Sequence, residues 1–140
     1  MEVKPAVLQL ETHVFSQQKR MCELMAPYGT RLMAWAPLAE GRNGIFTHPT
    51  LTAIGAKYGK TAAQTALRFL MAEDVIAIPK SVHRERLVEN FSIDDFELSA
   101  EDLDAIRALD GGKPMFADFN DPALAKFLLE YDAKFNPERQ

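Results

Sequence analysis

Three short apolar runs separated by helical patterns are the feature that most restricts how this chain can fold. The runs lie at 6–10, 31–36 and 75–78, and each has the length of a buried strand. Between them, apolar residues recur at the three- and four-residue spacing of amphipathic helices. Strands that are separated by helices pair in parallel through right-handed crossovers. The sequence therefore predicts an α/β fold with about three parallel strands and flanking helices.

Capping and breaking residues set the expected limits of the first helices. The first helix is predicted over 16–26, and the glycine-containing segment 39–47 is predicted to be a loop. A second helix is expected from Pro49, which suits a first helical turn. Thr61 and Gln64 have the spacing of a capping box, which predicts a third helix to about residue 72.

Further helices are expected after the third strand. A short helix is predicted to begin near His83. Ser99 and Asp102 resemble a second capping box at the start of another helix. The Asp-Pro pair at 121–122 opens a last predicted helix.

Composition limits the classes of function. The 140 residues are 47% hydrophobic and 26% charged, with a formal net charge of −4, which is typical of a single globular domain over 1–140. Its C-terminal helices and tail are expected over 99–140. Lys and Arg do not cluster as in a nucleic-acid-binding surface. No apolar run approaches the roughly 20 residues of a membrane span.

The sequence also bears on the location of the protein in the cell and on metal binding. The N-terminus lacks the basic-then-apolar layout of a signal peptide. The single cysteine, Cys22, permits no internal disulfide, so we expect a cytoplasmic protein. His13, His48 and His83 are scattered, and no metal-ligand spacing is present.

Five segments in register resemble the aldo-keto reductase family. They are Gln-Leu-Glu-Thr-His at 9–13, Ala-Trp-Ala-Pro-Leu at 34–38, Lys-Tyr-Gly-Lys-Thr with Ala-Gln and Leu-Arg over 57–68, Ile-Pro-Lys-Ser with Glu-Arg and Glu-Asn over 78–90, and Phe-Glu-Leu-Ser at 96–99. The resemblance runs from about residue 4 to residue 110. It implies a partial (β/α)8 TIM barrel, namely the three C-terminal strands of a fold that needs eight strands and about 250 residues.

The resemblance implies that the segment 78–90 binds the cofactor NADP(H). Lys80, Ser81 and Arg86 match the family positions that hold the 2′-phosphate. From the residues themselves, two cations, a hydroxyl and a helix N-terminus suit a phosphate monoester. The alternative is that both cations are solvated, with Arg86 paired to Glu89 or Glu85.

Other contacts with the cofactor are implied in the same way. Glu89 and Asn90 match positions that contact the adenine, and Trp35 matches an aromatic residue, usually Tyr, that stacks on the nicotinamide. Gln9 matches a glutamine that bonds the carboxamide, and Leu38 opens a loop that closes over the pyrophosphate. The alternatives are a core tryptophan, a buried amide bonded to backbone, and a plain surface loop.

Two further groups of residues are assigned by the same resemblance. Substrate contacts would come from 118–140, and Phe116 and Phe119 either face the substrate or pack against helices. Glu11 and His13 are expected to be structural.

The implied reaction is the NADPH-dependent reduction of an aldehyde or ketone to an alcohol. In the family a Tyr, assisted by a Lys, an Asp and a His, protonates the carbonyl oxygen, and all four come from earlier strands. None of Tyr28, Tyr58 and Tyr131 lies in that motif, so no catalytic residue is assigned.

We therefore expect the C-terminal NADP(H)-binding portion of an aldo-keto reductase that acts on a small carbonyl substrate. We expect this portion to be inactive by itself. An open three-stranded sheet exposes its edges, so we expect pairing with a separate N-terminal half, a homo-oligomer, or a longer enzyme of which this is a fragment. The alternative is a non-catalytic, truncated nucleotide-binding or interaction module that self-associates.

Overall fold

A parallel sheet of three strands organises the fold. The computed structural model describes residues 3–116, 121–124, 126, 127 and 130. The strands are β1 (Val7–Glu11), β2 (Arg31–Trp35) and β3 (Ile76–Ala77), and β2 lies between the other two. Both pairings are parallel, with Glu11 opposite Trp35 and Met33 opposite Ile76. The predicted α/β class with three parallel strands is confirmed.

Helices connect the strands and follow them. They are α1 (Lys19–Met25), α2 (Pro49–Tyr58), α3 (Ala62–Ala72), α4 (Arg84–Phe91) and α5 (Ala100–Arg107), with 3₁₀ segments at Ala26–Tyr28 and Ala39–Thr47. Residues 122–124, 126, 127 and 130 are also helical, where the last helix was predicted. The rest of that prediction lies outside the described residues. Within the part of the chain that the structure describes, no helix is long and apolar enough to cross a membrane.

The two faces of the sheet have different surroundings. Side chains alternate along each strand, and those on one face join the hydrophobic core beneath the helices. These core-side residues are Leu8, Leu10, Leu32, Ala34 and Ala77. On the other face Val7 and Gln9 are exposed, and Met33 is half-buried. The described helices cover only one face, so the prediction that the first strand is buried was wrong for Val7 and Gln9.

Helix α3 is the central support of the core. Eight of its eleven residues are buried, and Phe69 and Leu70 pack in the main hydrophobic cluster. Its start is fixed by the predicted capping box, which is confirmed. The Gln64 backbone N–H donates to Thr61 Oγ1 (3.2 Å), and the Thr61 N–H donates to Gln64 Oε1 (3.0 Å).

Three predicted elements differ most from the structure, in length or in type. Helix α1 begins at Lys19 because Gln18 adopts a left-handed backbone with φ of 56°, which a helix cannot include. The segment Ala39–Thr47 was predicted as a loop but consists of 3₁₀ turns, interrupted by residues with positive φ. Strand β3 has two residues instead of the four predicted, and Pro79 closely follows it without a backbone donor.

The second predicted capping box forms only in part. The Asp102 N–H donates to Ser99 Oγ (3.2 Å), as predicted. The Ser99 N–H donates to Tyr58 Oη (3.1 Å) instead of the Asp102 carboxylate. That carboxylate, only 2% exposed, accepts hydrogen bonds from Lys57 Nζ and from Tyr58 Oη, the latter at 2.6 Å. Asp102 therefore ties α5 to α2.

These contacts also set the protonation of Asp102. Burial opposes its charged form, whereas the hydrogen bonds from Lys57 and Tyr58 favour that form, and the net result lowers the pKa of Asp102. The carboxylate is therefore the species that joins the two helices at neutral pH.

We predict that Gly55→Ala destabilises the fold. At a solvent-exposed position in a helix this change would raise the helix propensity and stabilise the helix by up to about 1 kcal/mol. Here a Cβ would collide with the Lys60 carbonyl oxygen and lie 2.8 Å from Thr65 Oγ1. We expect the free energy of unfolding in urea to fall by about 1–3 kcal/mol. A variant as stable as the wild type would contradict this close approach.

We predict that Asp102→Asn loosens the junction between α2 and α5. The amide keeps the shape but cannot accept from both Lys57 and Tyr58 as a carboxylate does, so the free energy of unfolding should fall by about 1–3 kcal/mol at pH 7. The control is Glu101→Gln, which removes an exposed charge from the same helical turn and should have a smaller effect. Equal losses in both variants would indicate a general charge effect.

We also predict that the stability difference between the wild type and Asp102→Asn depends on pH. The folded-state pKa of Asp102 is lowered below an unfolded value of about 3.9. Its contribution is thus complete above that pH and is lost as the pH falls through the folded-state pKa. The stability difference between the wild type and Asp102→Asn should therefore persist at neutral pH and shrink in acid, as followed by urea unfolding at several pH values.

Candidate functional site

The candidate site lies at the edge of the sheet where the parallel strands end. Glu11 ends β1 and Trp35 ends β2, while Lys80 and Ser81 follow β3. In parallel α/β sheets the carboxyl ends of the strands meet at one edge, and ligands bind there. The fold therefore brings to one edge residues that are far apart in the sequence.

The predicted cations Lys80 and Arg86 lie near the N-terminus of α4, which also carries Arg84 in its first turn. Lys80 and Arg86 are both exposed, and neither forms an ion pair with a carboxylate among the residues that the structure describes. Pairing of Arg86 with Glu89 or Glu85 is not observed, and the Glu89 carboxylate instead accepts a hydrogen bond from Thr61 Oγ1 (2.5 Å). The N–H groups of the first helical turn have no partner within the helix. This end of α4 therefore presents positive groups, with the acidic Glu85 in the same turn.

Ser81 organises the turn that leads into α4. Its Oγ accepts from the His83 N–H (3.1 Å) and lies 3.3 Å from the His83 carbonyl oxygen, to which it donates. The hydroxyl would have to rotate away from that carbonyl to donate to an anion. His83 is the N-cap of the helix, close to the predicted start.

Glu89 and Asn90, the predicted adenine contacts, are half-buried near the end of α4. Gln64 Nε2 donates to the carbonyl oxygens of Glu89 (3.1 Å) and Ser92 (3.0 Å), so the start of α3 holds the end of α4. Asn90 lines a mostly apolar groove between α3, β3 and α4. It stands one helical turn from Arg86, on the same side of α4.

Gln9 lies on the open face of the sheet, so the alternative of a buried amide bonded to backbone is not observed. The side chain is exposed because the described helices pack on the other face. Among the described residues its only hydrogen bond is from Nε2 to Met33 Sδ (3.2 Å). Thioether sulfur is a weak acceptor, and the amide can therefore bond another polar group.

Trp35 is half-buried on the open face and is not part of the hydrophobic core clusters. Its ring centroid lies 5.3 Å from that of Phe116, with 55° between the ring planes. The Arg42 guanidinium carbon lies 4.4 Å from the Phe116 centroid. Phe116 thus packs against an aromatic side chain of the site, whereas Phe119 lies outside the described residues.

Leu38 has a different environment from the one expected of a ligand contact. Its side chain is half-buried and packs against both hydrophobic clusters. The backbone after it turns sharply, with positive φ at Ala39 (48°) and Gly41 (77°), a conformation that glycine adopts readily and other residues rarely. Any part that Leu38 takes in binding would come through the position of this segment.

Glu11 and His13 form a buried polar pair, as expected of structural residues. His13 Nδ1 accepts from the Phe15 N–H (3.2 Å), which leaves Nε2 to donate to Glu11 Oε1 (3.1 Å). Burial lowers the pKa of the His13 imidazole, although the neighbouring Glu11 carboxylate acts in the opposite direction. His13 is therefore neutral near pH 7.

Sequence reasoning missed what the Glu11 carboxylate binds. It accepts from the Met115 N–H (2.5 Å) and the Phe116 N–H (3.1 Å). No local sequence pattern indicates a contact between residues that lie about a hundred positions apart. In the described part of the chain no cluster of His, Cys, Asp and Glu could hold a metal ion.

Comparison with known proteins matches residues 1–111 to the family model described as the Aldo/keto reductase family. A protein of Mycobacterium sp. (strain KMS), named aldo-keto reductase, is 40% identical over 116 residues, which cover 83% of this chain and 41% of that protein. Methylglyoxal reductase DkgA of Escherichia coli (strain K12) is 36% identical over 116 residues, which cover 83% of this chain and 42% of that protein. The chain spans about two fifths of the length of these curated relatives.

Solved structures give the same match. MGS-M4, an aldo-keto reductase from a Medee basin deep-sea metagenome library, aligns with a TM-score of 0.81 and 35% identity, over 86% of this chain and 44% of that chain. A mutant of Gox0644 in complex with NADPH aligns with a TM-score of 0.76 and 33% identity, over 84% of this chain and 45% of that chain.

We predict that Thr61→Ala weakens the support of α4. The change removes the N-cap acceptor of α3 and the hydrogen bond to the Glu89 carboxylate, and should lower the free energy of unfolding by about 1 kcal/mol. Thr61→Ser keeps the hydroxyl and should stay close to the wild type. Urea unfolding measures both, and equal stability of the Ala and Ser variants would exclude this role of the hydroxyl.

Proposed function

This chain belongs to the aldo/keto reductase family, and on that premise we propose that it forms the NADP(H)-binding C-terminal portion of an oxidoreductase that reduces aldehydes or ketones to alcohols. The observation that carries the proposal is the pair of cations, Lys80 and Arg86, that has no carboxylate partner among the described residues at the N-terminus of α4. Residues 1–140 would then act as one domain.

A phosphate monoester is the anion that best suits this end of α4. It carries close to two negative charges at neutral pH, which match the two cations, and helix N–H groups favour negative charge at this end. The forked donors of Arg86 can bond two phosphate oxygens, and Ser81 lies in the turn between the cations. A 2′-phosphate distinguishes NADP(H) from NAD(H), so Lys80, Ser81 and Arg86 would set the cofactor preference. The NADPH in the Gox0644 complex supports this proposal.

Glu89 and Asn90 would border the adenine in this arrangement. Asn90 shares the Arg86 side of α4, and its amide could bond a polar edge of the base. The Glu89 carboxylate is engaged by Thr61, so its contribution would be to hold this part of the helix.

The other end of the cofactor would lie on the open face of the sheet. Trp35 presents a flat ring on which a planar group can stack, and Gln9 presents an amide whose described partner is only a weak acceptor. The cofactor, when bound, supplies a hydride to the substrate. Trp35 would orient and shield its ring, Gln9 would bond its carboxamide, and the segment after Leu38 would close over the pyrophosphate.

We assign no proton donor to the described residues. Tyr58 Oη is bonded to Asp102 and to the Ser99 backbone, and Tyr28 ends the 3₁₀ segment after α1. Tyr131 lies outside the described residues. We propose that this chain contributes cofactor binding, not proton transfer, and does not turn over substrate alone. The name of the methylglyoxal reductase relative supports a small carbonyl compound as the substrate of the complete enzyme.

A second candidate is a nucleotide-binding or interaction module that self-associates. It is favoured by the exposed apolar side chains along β3 and α4, which leave this edge of the sheet uncovered. They are Ile78, Val82, Leu87, Val88 and Phe91. A stable homo-oligomer that binds NADPH without turnover would favour this candidate, and co-purification with a separate N-terminal half would favour the first.

The proposed function predicts a cofactor preference that depends on Arg86. Calorimetric titration of the purified chain should show tighter binding of NADPH than of NADH. Arg86→Gln should weaken NADPH binding by about 10- to 100-fold, since a hydrogen bond to a charged group is worth about 1.5–3 kcal/mol. Its affinity for NADH should hardly change.

A matched control tests whether the effect is local. Arg84→Gln removes the same charge from another exposed position of the first turn of α4, about 200° around the helix from Arg86. Arg84→Gln should reduce the affinity for NADPH much less than Arg86→Gln does. Equal losses in the two variants would indicate general electrostatic attraction, and a folded wild-type chain that binds neither nucleotide would refute the proposal for this chain.

A further inference from the structure

The carboxylate of Glu11 connects two distant parts of the chain. The side chain is buried, with 2% of its surface exposed. Its two oxygens accept the consecutive backbone N–H groups of Met115 and Phe116, at 2.5 Å and 3.1 Å. The third donor is His13 Nε2 at 3.1 Å. We call residues 113–116 the strap.

This network fixes the strap without a neutralising cation. Glu11 has no Lys or Arg partner among the described residues, so backbone dipoles and the neutral His13 satisfy its charge. Hydrogen bonds to an ionised acceptor are about twice as strong as neutral ones. Because the two backbone donors are consecutive, they fix both the place and the direction of the strap at Phe116.

The side chain of Phe116 is then directed to Trp35. The two ring centroids are 5.3 Å apart, within the range of favourable aromatic pairs. Arg42, from the segment Ala39–Thr47, stacks on the same phenyl ring at 4.4 Å. Glu11 and Trp35 are themselves neighbours, because they are register partners at the ends of β1 and β2.

We propose that Glu11 is a positioning residue that holds the strap so that Phe116 packs against Trp35 and fixes the indole plane on which the flat ring of a nicotinamide nucleotide stacks. This proposal rests on the proposed function and adds to it a link between strand β1 and the C-terminal strap. Without the bond to Glu11, Phe116 leaves the indole, and Trp35 gains exposure and rotamer freedom. A ligand that stacks on Trp35 then has to immobilise it again.

The test uses Trp35 as its own reporter, because it is the only tryptophan of the 140 residues. Acrylamide quenching of its fluorescence measures its exposure in the chain without nucleotide. Glu11→Gln keeps the shape of the side chain but replaces one acceptor oxygen by a donor group, which cannot accept a strap N–H. The matched control is Glu23→Gln, which removes the same charge at an exposed position of α1.

A second variant covers the case in which Glu11→Gln fails to fold. Phe116→Ala removes the ring from Trp35 but leaves the backbone N–H and the buried Glu11 network in place. Both variants should raise the quenching of Trp35, and Glu23→Gln should not. Both variants should weaken the binding of NADPH and of NADH by the same factor, about 2- to 10-fold. This factor corresponds to the free energy of immobilising one side chain.

The equal effect on the two nucleotides separates this inference from the phosphate site. Arg86→Gln should change the ratio of the NADPH and NADH affinities, whereas Glu11→Gln and Phe116→Ala should leave that ratio unchanged. Unchanged quenching in Phe116→Ala, or raised quenching with unchanged affinity for both nucleotides, would overturn the positioning role even if the wild type binds NADPH. A wild type that binds neither nucleotide would overturn the proposed function, and the ring-positioning role with it.

Discussion

Parallel pairing of β2 with a strand on each side is the constraint on which the rest of the structure depends. The pairing continues beyond the strands, since the Thr12 N–H donates to the Trp35 carbonyl oxygen and the Ile78 N–H donates to that of Ala34, each at 3.3 Å. All three strands therefore end at one edge. Because side chains alternate along strands, the same register gives the helices a continuous apolar face. It leaves Trp35 on the opposite face, next to the end of β1.

The helices support the candidate site from the core side, through buried polar groups as well as apolar packing. Gln64 combines two tasks, because its oxygen caps α3 while its nitrogen bonds the carbonyl oxygens of Glu89 and Ser92 at the end of α4. Asp102 joins α5 to α2 in a similar way. Buried polar groups of this kind are costly when unpaired, so they favour one arrangement of the helices. Helix α4 is consequently anchored at its far end, while its N-terminus stays exposed.

Features with a local cause could be predicted from the sequence, and features with distant partners could not. The order of elements and the Thr61–Gln64 capping box follow from residues a few positions apart. The second box forms only in part because Tyr58, 41 positions earlier, accepts the Ser99 N–H. The exposure of Gln9 could not be predicted because it depends on which face of the sheet the helices cover. The contact of Glu11 with the strap has no local signal at all. The assigned roles of Lys80, Ser81, Arg86, Glu89, Asn90, Gln9, Leu38 and Trp35 in binding stay predictions.

The two ends of the proposed cofactor site would select ligands by different interactions, one electrostatic and the other through stacking. Lys80 and Arg86 are exposed, so their attraction for a phosphate acts through water and is screened by salt over about 8–10 Å. Trp35 would select by shape and surface contact, which depend little on ionic strength. Its geometry is set by Phe116 and by the buried carboxylate of Glu11, which salt hardly reaches. Discrimination between a phosphorylated and an unphosphorylated nucleotide would therefore vary with ionic strength, whereas the placement of the stacked ring would not.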